Sequence, residues 1–385
     1  MNYNNPIPEK TAGIVRYSCG FLFLAFCFSF LFFIQGDVLA EVQHMMSNGL
    51  TKYSIVVGAV LITVVLQIIQ WVVGLFIHFP NKCYAISYLP SYLGLAMLSD
   101  LDSNIDGDFV WGCWRWLMPL LLVLWIIVIG IVKSSESDEN DRHHSMAALL
   151  LPNYLIIFIM ILGVGFVPSI KSVKQCELKV ERLICDKNYV AATAVGINAW
   201  ESSERLTQLR MYALSKQGLL GDSIFCYPQE FGAKGLLDIK DTSLARRFPT
   251  RNIEFSLGAF PGVTIKSTKR FLERLAEDSI ATEQGKQYLL CYALLEKNMM
   301  EFNERFTSVY GDTIECTVPR AYQEAIVMQH PEYTVDSLPI YINKEYVKMY
   351  HDYLNMKEEL GDNHKQKNLT RRKYGKCYWW YYDNK

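Results

Sequence analysis

The first 170 residues are short of charge: they carry 7 Lys or Arg and 11 Asp or Glu, against 31 and 28 in the remaining 215. Within them, residues 17–34, 55–79, 116–132 and 147–167 contain no Asp, Glu, Lys or Arg at all. Runs of that length exclude a wholly soluble or disordered chain, because about 20 apolar residues let a helix cross roughly 30 Å of hydrocarbon. Other absences remove whole chemistries. There is no Cys-x-x-Cys and no Cys or His pair at zinc-ligand spacing, no phosphate-binding Gly-x-x-x-x-Gly-Lys, no dinucleotide fingerprint and no Gly-x-Ser-x-Gly elbow. No motif therefore asks for a metal or another cofactor. The near-balance of 31 against 28 in the second part also argues against a nucleic-acid partner.

What is present reads as an all-α chain of two domains, 1–170 with about four transmembrane helices and 171–385 soluble and helical. Lipid cannot hydrogen-bond a bare backbone, so the apolar runs are expected to be helices. Pro119 and Pro152 sit in first turns and Pro168 at an exit, where the missing N–H costs least. Trp71, Trp111, Trp114, Trp116 and Tyr154 are expected at the membrane–water interface. Lys10 and Arg16 before the first run, with Val38-Leu39-Ala40 after it, have the outline of a secretory signal. The run is long and Phe-rich, and Asp37 stands beside the cleavage-like residues, so a retained anchor is expected.

Four spans place both termini on one side, and the basic residues near the spans divide seven to three in favour of that side being cytoplasmic. The reading turns on Tyr84 to Ser99, sixteen mostly apolar residues interrupted by Pro90. That is short for a crossing and is expected to be an interfacial or re-entrant segment; a crossing would make five spans and move the soluble domain outside.

In the second part, Tyr288, Tyr292, Leu295, Met299, Phe302 and Phe306 recur at spacings of four and three, predicting one helix between Thr282 and Gly311. Further helices are predicted around Leu206, Leu209 and Ala213, closed by Gly218; from Arg270 to Ile280; from Arg320 to Gln329; and around Tyr346, Met349, Tyr350 and Tyr353, closed by Gly361. Amphipathic helices joined by short turns suggest stacked, tetratricopeptide-like hairpins, although no clean 34-residue repeat is visible. Residues 221–252 are expected to form an irregular connection.

The strings ISYLPSYLGLAMLSDLD, YALSKQGLLGDSIFCYPQEFGAKGLL, PRAYQEAI and RKYGKCYWWYY, in that order, resemble a family of uncharacterised bacterial integral membrane proteins. That family is known only as a domain of unknown function with amino-terminal spans and a helical carboxy-terminal region. The resemblance implies a bacterial inner (cytoplasmic) membrane and brings no activity or catalytic residue.

Candidate chemistry is sparse. Asp37, Glu41 and His44 follow the first span, where membrane glycan transferases often place carboxylates, but the carboxylates equally suit a solvated helix. Asp100, Asp102, Asp106 and Asp108 fail the calcium-loop pattern, having a misplaced Gly107 and no closing Glu, and are read as an acidic loop. Gln67 and Gln70 share a face of the second span and are read as helix glue in preference to a transport path; His78 ends that span. His143 and His144 lie in a charged loop. Cys176 and Cys185 are near enough in sequence to bridge outside the cytosol and are expected to be free thiols within it. The basic tail, including Arg371 and Arg372, runs into Tyr378, Trp379, Trp380, Tyr381 and Tyr382. Trp379, Trp380, Tyr381, Arg371 and Arg372 are candidates for contact with an anionic membrane surface, with core packing of the rings as the competing reading. The expected partners are the lipid bilayer and a protein bound by the helical domain. The expected function is interaction or scaffolding, with an Asp37/Glu41 transferase and a small transport component as alternatives.

Overall fold

The computed structural model describes residues 9–100, 102–103, 109–110, 113–136, 146–170, 172–197, 201–238, 246–259, 267–277, 280–311, 317–334, 338–360 and 364–385. His143, His144, Trp111, Asp106, Asp108 and Gly361 lie outside them. The described residues are helical except for loops and a two-residue antiparallel ladder, β1 (Asp102–Ser103) with β2 (Phe109–Val110). The chain divides into two compact units, 1–175 and 176–385.

The amino-terminal unit comprises α1 (Glu9–Phe33), α2 (Gly36–Met46), α3 (Ile55–Phe76), α4 (Leu89–Ser99), α5 (Trp114–Glu136) and α6 (Met146–Ile170). Four of these are long and apolar enough to cross a membrane: Ala12–Phe33, Ile55–Phe76, Trp114–Ser134 and Met146–Phe166. The first begins earlier than the charge-free run suggests and takes in Arg16, whose guanidinium carbon stands 5.5 Å above the Tyr84 ring. Their outer faces expose Val, Leu, Ile and Phe, as helices solvated by lipid do.

The ambiguous segment is a 3₁₀ helix, Asn81–Tyr88, running directly into α4 with Pro90 in the first turn. Eleven residues of α-helix rise about 16 Å and the eight of the 3₁₀ helix about as much again, so the two laid end to end approach the hydrocarbon thickness. The segment packs on α1, α3 and α6, burying Ala85, Tyr88, Tyr92 and Leu95. Its backbone is satisfied by side chains of the long helices. The Asn153 amide accepts from Ala85 N at 2.8 Å and donates to Asn81 O at 2.8 Å, and Trp125 Nε1 donates to Ile86 O at 3.0 Å.

The carboxy-terminal unit contains α7 (Ser172–Cys185, from Cys176), α8 (Tyr189–Ala194), α9 (Glu204–Lys216), α10 (Leu220–Ser223), α11 (Thr250–Leu257), α12 (Thr268–Glu277), α13 (Glu283–Leu295), α14 (Met299–Tyr310), α15 (Arg320–Gln329), α16 (Lys344–Leu360), α17 (His364–Tyr374) and α18 (Tyr378–Asn384). Neighbours in sequence stack as neighbours in space: α8 on α9, α12 on α13, α13 on α14, α15 on α16, and α16 on α17. The helix predicted from Thr282 to Gly311 is two helices. Thr282 caps the first, accepting from Gly285 N, but the chain turns at Lys297 in the left-handed region (φ 57°) and restarts behind an Asn298 cap. The 4-3-4 spacing runs through the break because both helices bury the same face.

That turn recurs. At three helix-to-helix turns a residue in left-handed conformation (Lys187, Gly218 and Lys297) is followed by one whose N–H bonds the carbonyl five residues back: Asn188 to Leu183, Leu219 to Leu214 and Asn298 to Ala293, at 2.8, 2.9 and 3.0 Å; Asn48 and Gly258 end α2 and α11 the same way, with Gly49 N to His44 O and Ala259 N to Glu254 O at 2.8 and 3.0 Å. The hairpins α7–α8, α9–α10 and α13–α14 thus share one joint. The turn sequences Asp-Lys-Asn, Gln-Gly-Leu and Glu-Lys-Asn conceal it.

Candidate functional site

Two regions of the molecule collect polar groups where they are not needed for solubility, one in each unit. In the amino-terminal unit, Gln67 Nε2 donates to Gln70 Oε1 at 2.8 Å, and Gln70 Nε2 donates to the Tyr84 hydroxyl and to Ser87 Oγ at 3.0 and 3.1 Å. Gln70 therefore ties α3 to the 81–99 segment, with Gln67 bonded behind it, which favours helix packing over a transport path. His78 lies exposed beyond the end of α3. Trp71 and Trp116 are exposed as interface anchors would be, whereas Trp114 is buried and donates to Asp100 Oδ2 at 2.7 Å. The expectation for Trp114 is corrected by that bond.

Asp37 and Glu41 do stand one turn apart on α2, with His44 one turn further on. Glu41 is buried against the unit and Asp37 is half-buried. Among the described residues no group of three His, Cys, Asp or Glu side chains is arranged to hold a metal. Cys176 and Cys185 are both free thiols.

The second region is a cavity of about 290 Å³ in the carboxy-terminal unit. Its walls are Phe225 to Glu230, the end of α17 with Arg371, Gly375 and Lys376, and Trp380, Tyr381 and Lys385 of the last turns. Arg371, Lys376 and Lys385 are exposed at its mouth, and Glu230, the acidic residue of the lining, stands 4.0 Å from Lys385 Nζ. Arg371 stands 6.0 Å from the Trp380 ring centre.

Each wall is held by a borrowed helix cap. Pro319 precedes α15 and supplies no side-chain acceptor, so Asp222 of α10 accepts from Arg320 N at 2.8 Å. Gly221 permits this approach, because a Cβ there would overlap Pro319 and the Tyr322 ring. α18 likewise lacks a cap of its own. Glu324 of α15 accepts from Tyr378 N at 2.7 Å through Oε2 and from Arg320 Nε at 2.6 Å through Oε1. The strand of chain leaving α10 becomes one wall of the cavity and α18 the other, so α15 spaces them.

Burial shapes the charges here. It works to lower the Arg320 guanidinium, and the Glu324 carboxylate reverses this, leaving Arg320 above its ordinary value. Glu324 is 1% exposed, and burial raises its carboxyl above the ordinary value against the opposing pull of Arg320 and of the Tyr378 N–H that it accepts from. Arg210, also buried, is pushed down by desolvation; it donates to Val195 O and Gly196 O and lies over the Tyr227 ring, fixing the loop that carries Ile197. Cys226, in the cavity wall, has its thiol pushed up by burial against the opposing pull of Arg320 and Lys376.

The aromatic tail packs within the carboxy-terminal unit. Tyr378, Trp379, Trp380 and Tyr381 are all buried, Trp379 to 1% exposure, although consecutive helical residues point around the full circle. They achieve it because α18 is enclosed: Trp379 meets Tyr350, Tyr378 and Tyr381 meet Phe225, and the Tyr381 hydroxyl donates to Leu295 O. Core packing, the competing reading of these rings, accounts for their burial. Arg371 and Arg372 are exposed on α17, and only Arg371 lines the cavity.

The profile of a family of unknown function, DUF6057, matches residues 263–385. This is about a third of the chain; it contains α15, α17 and α18 but not the wall from Phe225 to Glu230. Of the four strings noted in the sequence, PRAYQEAI and RKYGKCYWWYY fall inside it. No curated protein and no solved structure matches the chain.

Proposed function

We propose that the protein is a membrane-anchored binding protein: the four apolar helices retain it in the bilayer, and the stacked helices of the carboxy-terminal unit engage a protein partner at the cationic cavity. The observation that carries this reading is the cavity itself, with three cations at the mouth and aromatic walls, on a scaffold of paired helices. Stacked helix pairs suit peptide recognition because they hold such a surface rigid without metal or cofactor. The seven-to-three division of basic residues supports a cytoplasmic carboxy-terminal unit, and the resemblance noted above supports a bacterial inner membrane.

The transferase alternative rests on Asp37 and Glu41, and the inward burial of Glu41 speaks against a water-activating role for it. Replacing both by Ala with no change in envelope synthesis removes that alternative.

The binding reading is tested with a photo-crosslinking residue placed at Ile197, on the cavity lining, and separately at Ile340, an exposed residue outside that lining. Ile197 is expected to give a discrete adduct in living cells that Lys376→Gln diminishes, while Ile340 gives none. Equal adducts from both, or none from Ile197, would contradict the reading.

A further inference from the structure

Resting on that reading of the cavity, we propose that its ligand is an N-acylated amino-acid carboxylate, as at the carboxyl end of a peptide, carrying an apolar or aromatic side chain. Three features converge on this chemistry. The volume of about 290 Å³ is at the lower limit for a ligand site and suits one or two residues, not an engulfed nucleotide or lipid-linked sugar. The mouth sets Arg371, Lys376 and Lys385 against Glu230, so it selects an anion, and a guanidinium meets a carboxylate with two parallel donors. The walls of Phe225, Tyr227, Trp380 and Tyr381 leave room for an apolar body beneath it.

To these are added an unused donor and an unused acceptor. Among the described residues Trp380 Nε1 and Gln229 Oε1 are buried without a hydrogen-bond partner, and both residues line the cavity at 6% exposure. Gln229 spends its amide nitrogen on Ile224 O at 2.6 Å, which leaves its oxygen as the acceptor. Leaving buried polar groups unpaired costs free energy, and a ligand amide supplies the matching pair once the two side chains turn toward it, a carbonyl for the indole N–H and an N–H for the glutamine oxygen. A plain fatty acid or inorganic phosphate offers no such pair.

Cys226 lies in the same lining and reports occupancy. The full chain in detergent micelles is treated with a maleimide, and labelling is read residue by residue by peptide mass spectrometry. Exposed Cys185 serves as the internal reference. The probes are N-acetylphenylalanine, its carboxamide, and a tetrapeptide ending in phenylalanine with a free carboxylate. Both acids are expected to slow Cys226 labelling several-fold at saturation and to leave Cys185 unchanged, with the carboxamide about tenfold or more weaker. Lys376→Gln and Arg371→Gln are expected to abolish the distinction between acid and amide. Protection at lower concentration by the tetrapeptide identifies a chain end as the source; equal protection identifies the free acyl amino acid; either supports the proposal. Equal protection by the carboxamide overturns anion recognition while the binding reading stands. Free labelling of Cys226 in the presence of all three overturns the proposed ligand, and the crosslink from Ile197 decides separately whether the domain binds a partner at all.

Discussion

The two units bury polar groups by different means. In the amino-terminal unit the work is done by neutral amides and an indole: Asn153, Gln70 and Trp125 hold the 81–99 segment without a formal charge among them. In the carboxy-terminal unit the equivalent work falls to ions: Glu324 with Arg320, Glu181 with Arg205, and Arg210 alone on carbonyls. The contrast follows from solvent. A charge carried through lipid has no water nearby when its partner moves away, whereas a buried ion near an aqueous surface is penalised less. Amides therefore suffice where displacement would be costly, and ions appear where the helical frame already holds them.

The largest effect should come from breaking an ionic joint. Glu324→Ala removes the cap on α18 and leaves Arg320 without its carboxylate; a loss of about 3 kcal/mol in the stability of the carboxy-terminal unit is expected. Denaturant titration followed by proteolysis would show it, with the 378–384 segment cut first. A change under 1 kcal/mol would mean that the relay through α15 does not hold the cavity.

Asn153→Leu is the matching test in the other unit. It frees Ala85 N and Asn81 O together, and about 2 kcal/mol is expected, because single hydrogen bonds within membranes are individually modest. Steric trapping or detergent-induced unfolding in micelles measures this. A cost exceeding that of Glu324→Ala would reverse the comparison.

The recurrent joint allows a finer test within one unit. Gly218→Ala should cost about 1 kcal/mol, and Lys187→Gly should gain up to about 1 kcal/mol, since both residues occupy the left-handed region that a Cβ disfavours. The same thermal scans on both variants suffice, and equal signs would deny that the joints are equivalent.

The smallest effect concerns Cys226. Burial raises its thiol above the ordinary value of 9.0 although Arg320 and Lys376 pull the other way. A raised pKa means less thiolate at any given pH, so the pH midpoint of its alkylation should lie above that of free cysteine. A midpoint below it would show the cations outweighing burial.

Much of this architecture was legible in the residues, and what was not has a physical cause. Charge-free runs disclosed the spans because lipid tolerates little else, and α15 runs from Arg320 to Gln329, the bounds its periodicity indicates. The break at Lys297 was hidden because periodicity reports burial and not continuity, and because Lys occupies a position where Gly would have announced a turn. The borrowed caps lie 98 and 54 residues from the helices they serve, beyond any local pattern. The enclosure of Trp379 and Trp380 depends on helices far away in sequence. The cavity had no motif at all; only the meeting of two noted strings, around Phe225 and Lys376, creates it.

The direct test of the architecture is the side on which the carboxy-terminal unit emerges. Compartment-specific reporters fused after Asn48, in the loop following the first span, and after Lys385 should read opposite sides of the membrane if 81–99 is re-entrant and four helices cross. Reporters reading the same side would mean that this segment crosses, and that Asn153, Gln70 and Trp125 hold a fifth span in place of a re-entrant one.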